Sequence, residues 1–235
     1  MGIDFLIEFP FTKETSGIEA EDFVKDVLVD GLGAKVIVSG SDLRFGHERR
    51  GNVAMLRELG KEMGFREDVC QKLQIAAPIY EDGQFTGRRE PRDVSSTLIR
   101  EAIRRGDMEF ADRMLDAPFA VSGEVVHGRQ LGRKRGMPTA NVVPPLHKIM
   151  PPNGVYSSRT IVGDYVYHSV TNIGFNPTVA DNNSKRMETY VYDFSGSLYG
   201  EEIEVQLFRF ERPEMKFDGV DALKNQIHKD KAGTM

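Results

Sequence analysis

The stretch IEVQL, residues 203–207, alternates strictly: Ile203, Val205 and Leu207 on one side, Glu204 and Gln206 on the other. A period of two is that of a strand with one buried face. The same period governs the chain from Ala120 onward. Glu124-Val125-Val126, Val155-Tyr156, Tyr165 to Val170 and Met187 to Phe194 read as further strands separated by turns. Gly163-Asp164 has the composition of a hairpin turn between two of them. Several short strands at close spacing predict a small β-barrel or sandwich. Phe217, Val220, Leu223 and Ile227 then recur at helical spacing, with Asp218 as N-cap, and predict an amphipathic closing helix.

Upstream the pattern is different. Phe5, Leu6, Ile7 and Phe9 form a strand-like apolar run at the very start. Phe23, Val24, Val27 and Leu28 share one helical face, which Gly31 and Gly33 end. Val36-Ile37-Val38 is a compact β-branched run of the kind expected for a buried parallel strand. Val53, Leu56, Leu59 and Met63 give another helical face. Strand, helix, strand, helix is an α/β signature. Residues 81–94 are polar, carry Gly, Pro and arginines, and read as an exposed loop. Ser95 stands next as N-cap of a helix with Leu98, Ile99, Ala102 and Ile103 on one face. A short helix over Met108, Ala111, Met114 and Leu115 ends at Pro118. The change of period puts a domain boundary there, giving domains 1–117 and 118–235.

Composition bounds the function. The chain has 235 residues, 40% of them hydrophobic and 29% charged, enough for one large or two small domains. A single cysteine, Cys70, excludes an intramolecular disulfide framework and fits a reducing, cytoplasmic setting. The net charge of −5 gives no global basic field for nucleic acid or anionic lipid. No apolar run approaches the roughly 18 residues of a membrane span. The first ten residues lack a basic n-region, and position 6 is Leu, so neither a signal peptide nor a myristoylation pattern is present. The five histidines are scattered, with none at zinc spacing.

Four segments carry candidate chemistry. The densest is HGRQLGRKRGMPTAN, 127–141, with Gly128, Gly132 and Gly136 among Arg129, Arg133, Lys134 and Arg135. Glycines let backbone N–H groups approach a ligand, and cations offset phosphate charge. Thr139 and Asn141, two apart on a strand, share a face, where their oxygens suit a magnesium ion bridging phosphates. A solvated basic hairpin loop accounts for the same composition. In METYVYDFSGSLYGEEI, 187–203, Glu188 is either a solvent-face residue or a base in a cleft. Ser95, Ser96 and Thr97, with Arg100 behind them, offer an anion a helix N-terminus, or simply cap the helix. GSDLRFG, 40–46, comes after a strand, where α/β folds place ligands, and is equally an ordinary loop.

Together these segments resemble the bacterial bifunctional riboflavin kinase/FMN adenylyltransferase (FAD synthetase) family. The resemblance rests on GRKRGMPTAN (132–141), METYVYDF (187–194), SLYGEEI (197–203) and RPEMKFDGVDALKNQI (212–227), in that order. It implies an α/β partial nucleotidyltransferase (Rossmann-like) domain, then a six-stranded antiparallel Greek-key barrel with a C-terminal helix. By the same resemblance, Thr139 and Asn141 serve ATP and Mg²⁺, and Gly128, Gly132 and Arg133 cover the nucleotide phosphates. Glu188 is the catalytic base, and Arg212 and Phe217 flank the flavin. The implied partners are riboflavin and ATP, with no nucleic acid and no membrane. Asp42, Ser95, Ser96, Thr97 and Arg100 correspond to the residual nucleotidyltransferase site, although Leu43 stands where the family tends to have Phe. No two histidines stand three apart, so the family's H-x-G-H is absent from this sequence. Alignment with the family places its opening βαβ portion before Met1. The expectation is a riboflavin kinase without useful adenylyl transfer, whose first half is prone to self-association.

Overall fold

A computed structural model describes residues 2–127, 139–175, 185–215 and 226. The chain forms two compact units, Met1–Gln74 and Ile75–Met235.

The first unit is a small α/β arrangement. Helix α1, Ala20–Asp22, runs on as a π-helix over Phe23–Gly31. Strand β1 (Val36–Gly40) is followed by the two-residue strands β2 (Arg44–Phe45) and β3 (Gly51–Asn52), helix α2 (Val53–Met63) and strand β4 (Arg66–Cys70). Strands β1 and β4 pair in parallel, Val36 opposite Arg66 through Gly40 opposite Cys70. Asn52 starts α2 by accepting the Met55 N–H at 3.1 Å on its Oδ1, one of the four donors that a helix start leaves unpaired. Val24, Leu56, Leu59 and Phe65 form its core. Two expectations fail here. Phe5–Phe9 is not a strand: none of the described strands pairs with it, and Phe5 is 87% exposed. The parallel strand is real but not buried, since Val38 is 64% exposed. Its sheet has two strands, and only Ile37 and Ser39 turn toward cover.

The second unit opens with strands β5 (Gln74–Glu81) and β6 (Gln84–Asp93), which pair as a two-stranded sheet. The expected loop over 81–94 is therefore largely a strand. Asp82 and Gly83 both have positive φ, 48° and 78°, as a two-residue type I′ turn requires. Helices α3 (Ser96–Arg105) and α4 (Met108–Leu115) come next. Ser95 Oγ accepts the Leu98 N–H at 3.2 Å, and Asp107 Oδ1 accepts the Phe110 N–H at 3.1 Å.

Six strands then close a barrel: β7 (Phe119–Val126), β8 (Ala140–Val142), β9 (Gly154–Val162), β10 (Tyr165–Phe175), β11 (Lys185–Val191) and β12 (Glu202–Arg212). Around the barrel the order is β10, β11, β8, β7, β12, β9, all antiparallel. The strand expected to reach Phe194 stops at Val191, and Asp193 takes φ 57° just beyond it. The barrel interior has two halves. Val121, Val125, Val142, Ile203, Val205 and Leu207 make one side apolar. On the other, Ser158, Thr160, Ser169, Thr171 and Thr189 join a buried hydroxyl chain with oxygen separations of 2.8 to 3.0 Å. Leu98, Ile103, Met108 and Phe110 of α3 and α4 bury in the same core as the barrel strands. By packing, these helices side with the barrel, whereas the proposed boundary at 118 marks where the barrel strands begin. The closing helix from Phe217 lies outside the described residues, apart from Gln226. Among the described residues no helix is long and apolar enough to cross a membrane.

Candidate functional site

One rung of the barrel collects most of the candidate chemistry. Arg212 pairs with Val155, Val155 with Asn172, Asn172 with Glu188, and Glu188 with Asn141. The rungs on either side fix which way this one points. Thr171, Thr189 and Ala140 on one side, and Ile173, Met187 and Val142 on the other, are all buried inside the barrel. Side chains alternate along a strand, so Asn141, Glu188 and Asn172 project from the outer wall. Directly opposed Cα atoms in such pairs lie about 4.5–5.5 Å apart. The three polar side chains are therefore immediate neighbours. Glu188 is exposed, and Asn141 is buried.

Thr139 sits just before β8, half-buried. Asn141 Nδ2 donates to its carbonyl oxygen at 3.3 Å. With the nitrogen engaged, the Asn141 amide oxygen faces the other way. Thr139 also lines a pocket of about 170 Å³ with Ala140, Val191, Phe194, Leu198 and Tyr199. Pockets that enclose a whole drug-sized ligand start near roughly 300 Å³. This one is sized for a single ring system. Tyr199 stacks on His127 with ring centroids 4.0 Å apart, closing one flank.

The opposite end of the rung holds a carboxylate that sequence reasoning missed. Glu214 Oε1 accepts a hydrogen bond from Asn172 Nδ2 at 2.9 Å. The remaining polar atom of that amide, Asn172 Oδ1, is buried and accepts no hydrogen bond among the described residues. Arg212 Nη1 donates to the Pro213 carbonyl at 3.3 Å, which folds the guanidinium over its own chain. Burial holds the Lys185 ammonium, at the start of β11, below the ordinary lysine range. Gly128, Gly132, Arg133 and Phe217 lie outside the described residues.

The residual nucleotidyltransferase residues do not form one cluster within a unit. Asp42 belongs to the first unit, where Lys72 Nζ stands 3.1 Å from its Oδ2 and holds the carboxyl below the usual range. Ser95, Ser96, Thr97 and Arg100 belong to the second, at the N-terminal end of α3, all exposed. Ser95 acts as that helix's cap.

An oxygen-rich pair suits a hard divalent cation, which takes carboxylate, amide and hydroxyl oxygens and leaves positions for phosphate. The Thr139 hydroxyl and Asn141 amide oxygen meet that requirement beside Glu188. Among the described residues no three His, Cys, Asp or Glu side chains gather as a metal cage.

Comparison with known proteins gives concordant matches. Residues 115–235 match the riboflavin kinase (flavokinase) family model, and residues 1–79 match that of FAD synthetase. The bifunctional riboflavin kinase/FMN adenylyltransferase of Buchnera aphidicola is 34% identical over 231 residues, covering 97% of this chain and 69% of that protein. The Escherichia coli K12 protein of the same name is 36% identical over 230 residues, covering 97% and 68%. A crystal structure described as a macrolide-efflux protein from Streptococcus pneumoniae aligns at a TM-score of 0.76 and 29% identity, over 95% of this chain and 67% of that one.

Proposed function

The chain belongs to the bifunctional riboflavin kinase/FMN adenylyltransferase family, and from that premise we infer that it is an ATP-dependent riboflavin kinase, making FMN and ADP. The observation that carries the site assignment is the outward rung Asn141–Glu188–Asn172, with Arg212 at its far end.

Glu188 is the general base. Its carboxylate takes the proton of the ribityl 5′-hydroxyl as that oxygen attacks the γ-phosphorus of ATP. A new P–O bond forms to the ribityl oxygen, and the bond to the β-phosphate oxygen breaks. The proton stays on Glu188 and the electron pair leaves with ADP. Such transfers are accelerated chiefly by positioning and by charge opposite the transferring group. Thr139 and Asn141 would hold Mg²⁺, which would offset the negative charge of the phosphates. By the family resemblance, Gly128, Gly132 and Arg133 would serve those phosphates. The ring-sized pocket against Phe194, Leu198 and Tyr199 takes the adenine, because it opens beside Thr139. Arg212 and Phe217 flank the flavin. The lone cysteine supports a cytoplasmic setting.

The FAD synthetase match over residues 1–79 favours a second reading, a chain that also contributes to adenylyl transfer from ATP to FMN. One experiment tests both. The protein is incubated with riboflavin, ATP and Mg²⁺ and the flavins are separated by chromatography. FMN is expected, and Glu188→Gln should slow its appearance by about 10²-fold, the usual scale for a lost general base. A Glu188→Gln variant that turns over like wild type removes the base assignment. A growing FAD peak establishes the second reading.

A further inference from the structure

We propose that Asn172 and Glu214 form a hydroxyl-reading pair beside the base, selecting flavins whose side chain carries a second hydroxyl next to the one phosphorylated. The inference rests on the riboflavin kinase reading and extends it to substrate selectivity.

The orientation of the Asn172 amide is the first constraint. A carboxylate can only accept hydrogen bonds at neutral pH, so Glu214 Oε1, 2.9 Å away, admits only the NH₂ side of Asn172. The amide is thereby fixed, and its oxygen becomes an acceptor in a set direction. That oxygen is buried and has no partner among the described residues, whereas buried polar atoms normally have one. A ligand hydroxyl that displaces its cover would supply the missing donor.

The position of Asn172 says which ligand group arrives. It stands directly across from Glu188 on the neighbouring strand, on the same outer face. The two side chains thus present two acceptors, a carboxylate and an amide oxygen, side by side. A single hydroxyl satisfies one of them. A vicinal diol satisfies both, with the reacting 5′-hydroxyl on Glu188 and its 4′ neighbour on Asn172.

The backbone is cut to fit this contact. Gly174, two residues beyond Asn172 and on the same face, has no side chain. A Cβ built there would lie 2.6 Å from Glu214 Oε1. A methyl group there would crowd the Glu214 carboxylate where it lies beside β10 and push this flexible side chain aside. Gly174→Ala should therefore displace Glu214 and release the amide, without touching Asn172 or Glu188.

The test compares riboflavin with 4′-deoxyriboflavin, by quenching of flavin fluorescence on binding and by FMN-type product formation with ATP and Mg²⁺. Wild type should bind and use riboflavin about tenfold or more better, the scale of leaving one buried acceptor without its donor. Asn172→Leu should reduce that preference to about one, with the change in KM and not in kcat. Glu214→Ala and Gly174→Ala should each weaken it. Glu214 is exposed, so its truncation probes the contact without opening the core. Retention of the full preference in Asn172→Leu or in Glu214→Ala overturns the proposal. So does a loss confined to kcat, which would make Asn172 a support for the base alone. The binding arm reads the preference without turnover. Absence of FMN from wild type would therefore sink the kinase reading while leaving this proposal to its own result.

Discussion

Thr171→Val should destabilise the barrel by an amount that depends on whether Thr189 is also changed. Thr171 Oγ1 is fully buried and lies 2.8 Å from Ser158 Oγ and 3.0 Å from Thr189 Oγ1. Valine removes both interactions. Ser158 keeps Ser169 at 2.8 Å, but Thr189 loses the hydroxyl partner it had. A typical net hydrogen bond contributes about 1 kcal/mol, and a buried polar group left without a partner costs about 1–3 kcal/mol. The expected loss is about 2 kcal/mol. For a domain of this size that is a drop in Tm of roughly 4–8 °C. Thr189→Val alone should cost about 1 kcal/mol, because Thr171 then still holds Ser158. The double variant should be no worse than Thr171→Val, since replacing both partners removes the orphan. Thermal melts of the four proteins read the cycle directly. Losses that simply add, or a Thr171→Val protein that melts with wild type, would refute the idea that this hydroxyl chain is one coupled network.

Two further perturbations probe other parts of the protein. Burial pushes the Asp112 carboxyl up to about 6 from 3.8, although the Phe119 N–H it accepts at 2.8 Å works against this. The folded state thus holds a proton that the unfolded state releases, so wild type gains stability as pH falls from above 6 toward 4. Asp112→Asn keeps an acceptor oxygen and should melt higher than wild type at pH 7.5, with the advantage shrinking toward pH 4.5; an advantage independent of pH would contradict this. Tyr199→Ala removes one wall of the ring-sized pocket beside Thr139. The KM for ATP should rise about 5- to 10-fold, the scale of one lost aromatic contact, with the KM for riboflavin unchanged; equal rises in both would move the adenine elsewhere.

The features legible in the sequence and those hidden from it divide along physical lines. The Gly163-Asp164 turn is legible because alternating apolar residues flank it. The Asp82-Gly83 turn is the same kind of signal, yet β6 beyond it carries Arg88, Arg89, Glu90, Pro91 and Arg92 and is exposed nearly throughout, so no apolar period announces a strand. Val36-Ile37-Val38 declares a strand through its β-branched side chains. Burial depends on how many strands and helices flank it, which no local window contains. The candidate site behaves in the same way. Glu188, Thr139 and Asn141 stand in segments whose resemblance to a known family marks them. Asn172 does not, and although Glu214 lies within 212–227, nothing there points to its contact with Asn172, which joins residues 42 apart. It depends on strand register and on a missing side chain at Gly174.

The circular order of the barrel sets when this chemistry can exist. Strand β7 is made first but pairs with β12, Phe119 opposite Leu207, so the wall closes only after the last strand has returned. Contacts at such separation make folding slow relative to helical proteins of similar size. The register of β12 shifts twice against β9, between Leu207 and Arg209 and again between Phe210 and Arg212, just before the chain delivers Glu214 to Asn172. Irregularities of this kind bend a strand and re-aim the residues beyond the bend. Glu188 and Asn141 face each other across β11 and β8, whereas the contact that pins Asn172 needs the chain to run past the end of β12. The arrangement proposed to distinguish one polyol from another therefore depends on where the last strand ends, whereas the pairing of Glu188 with Asn141 does not.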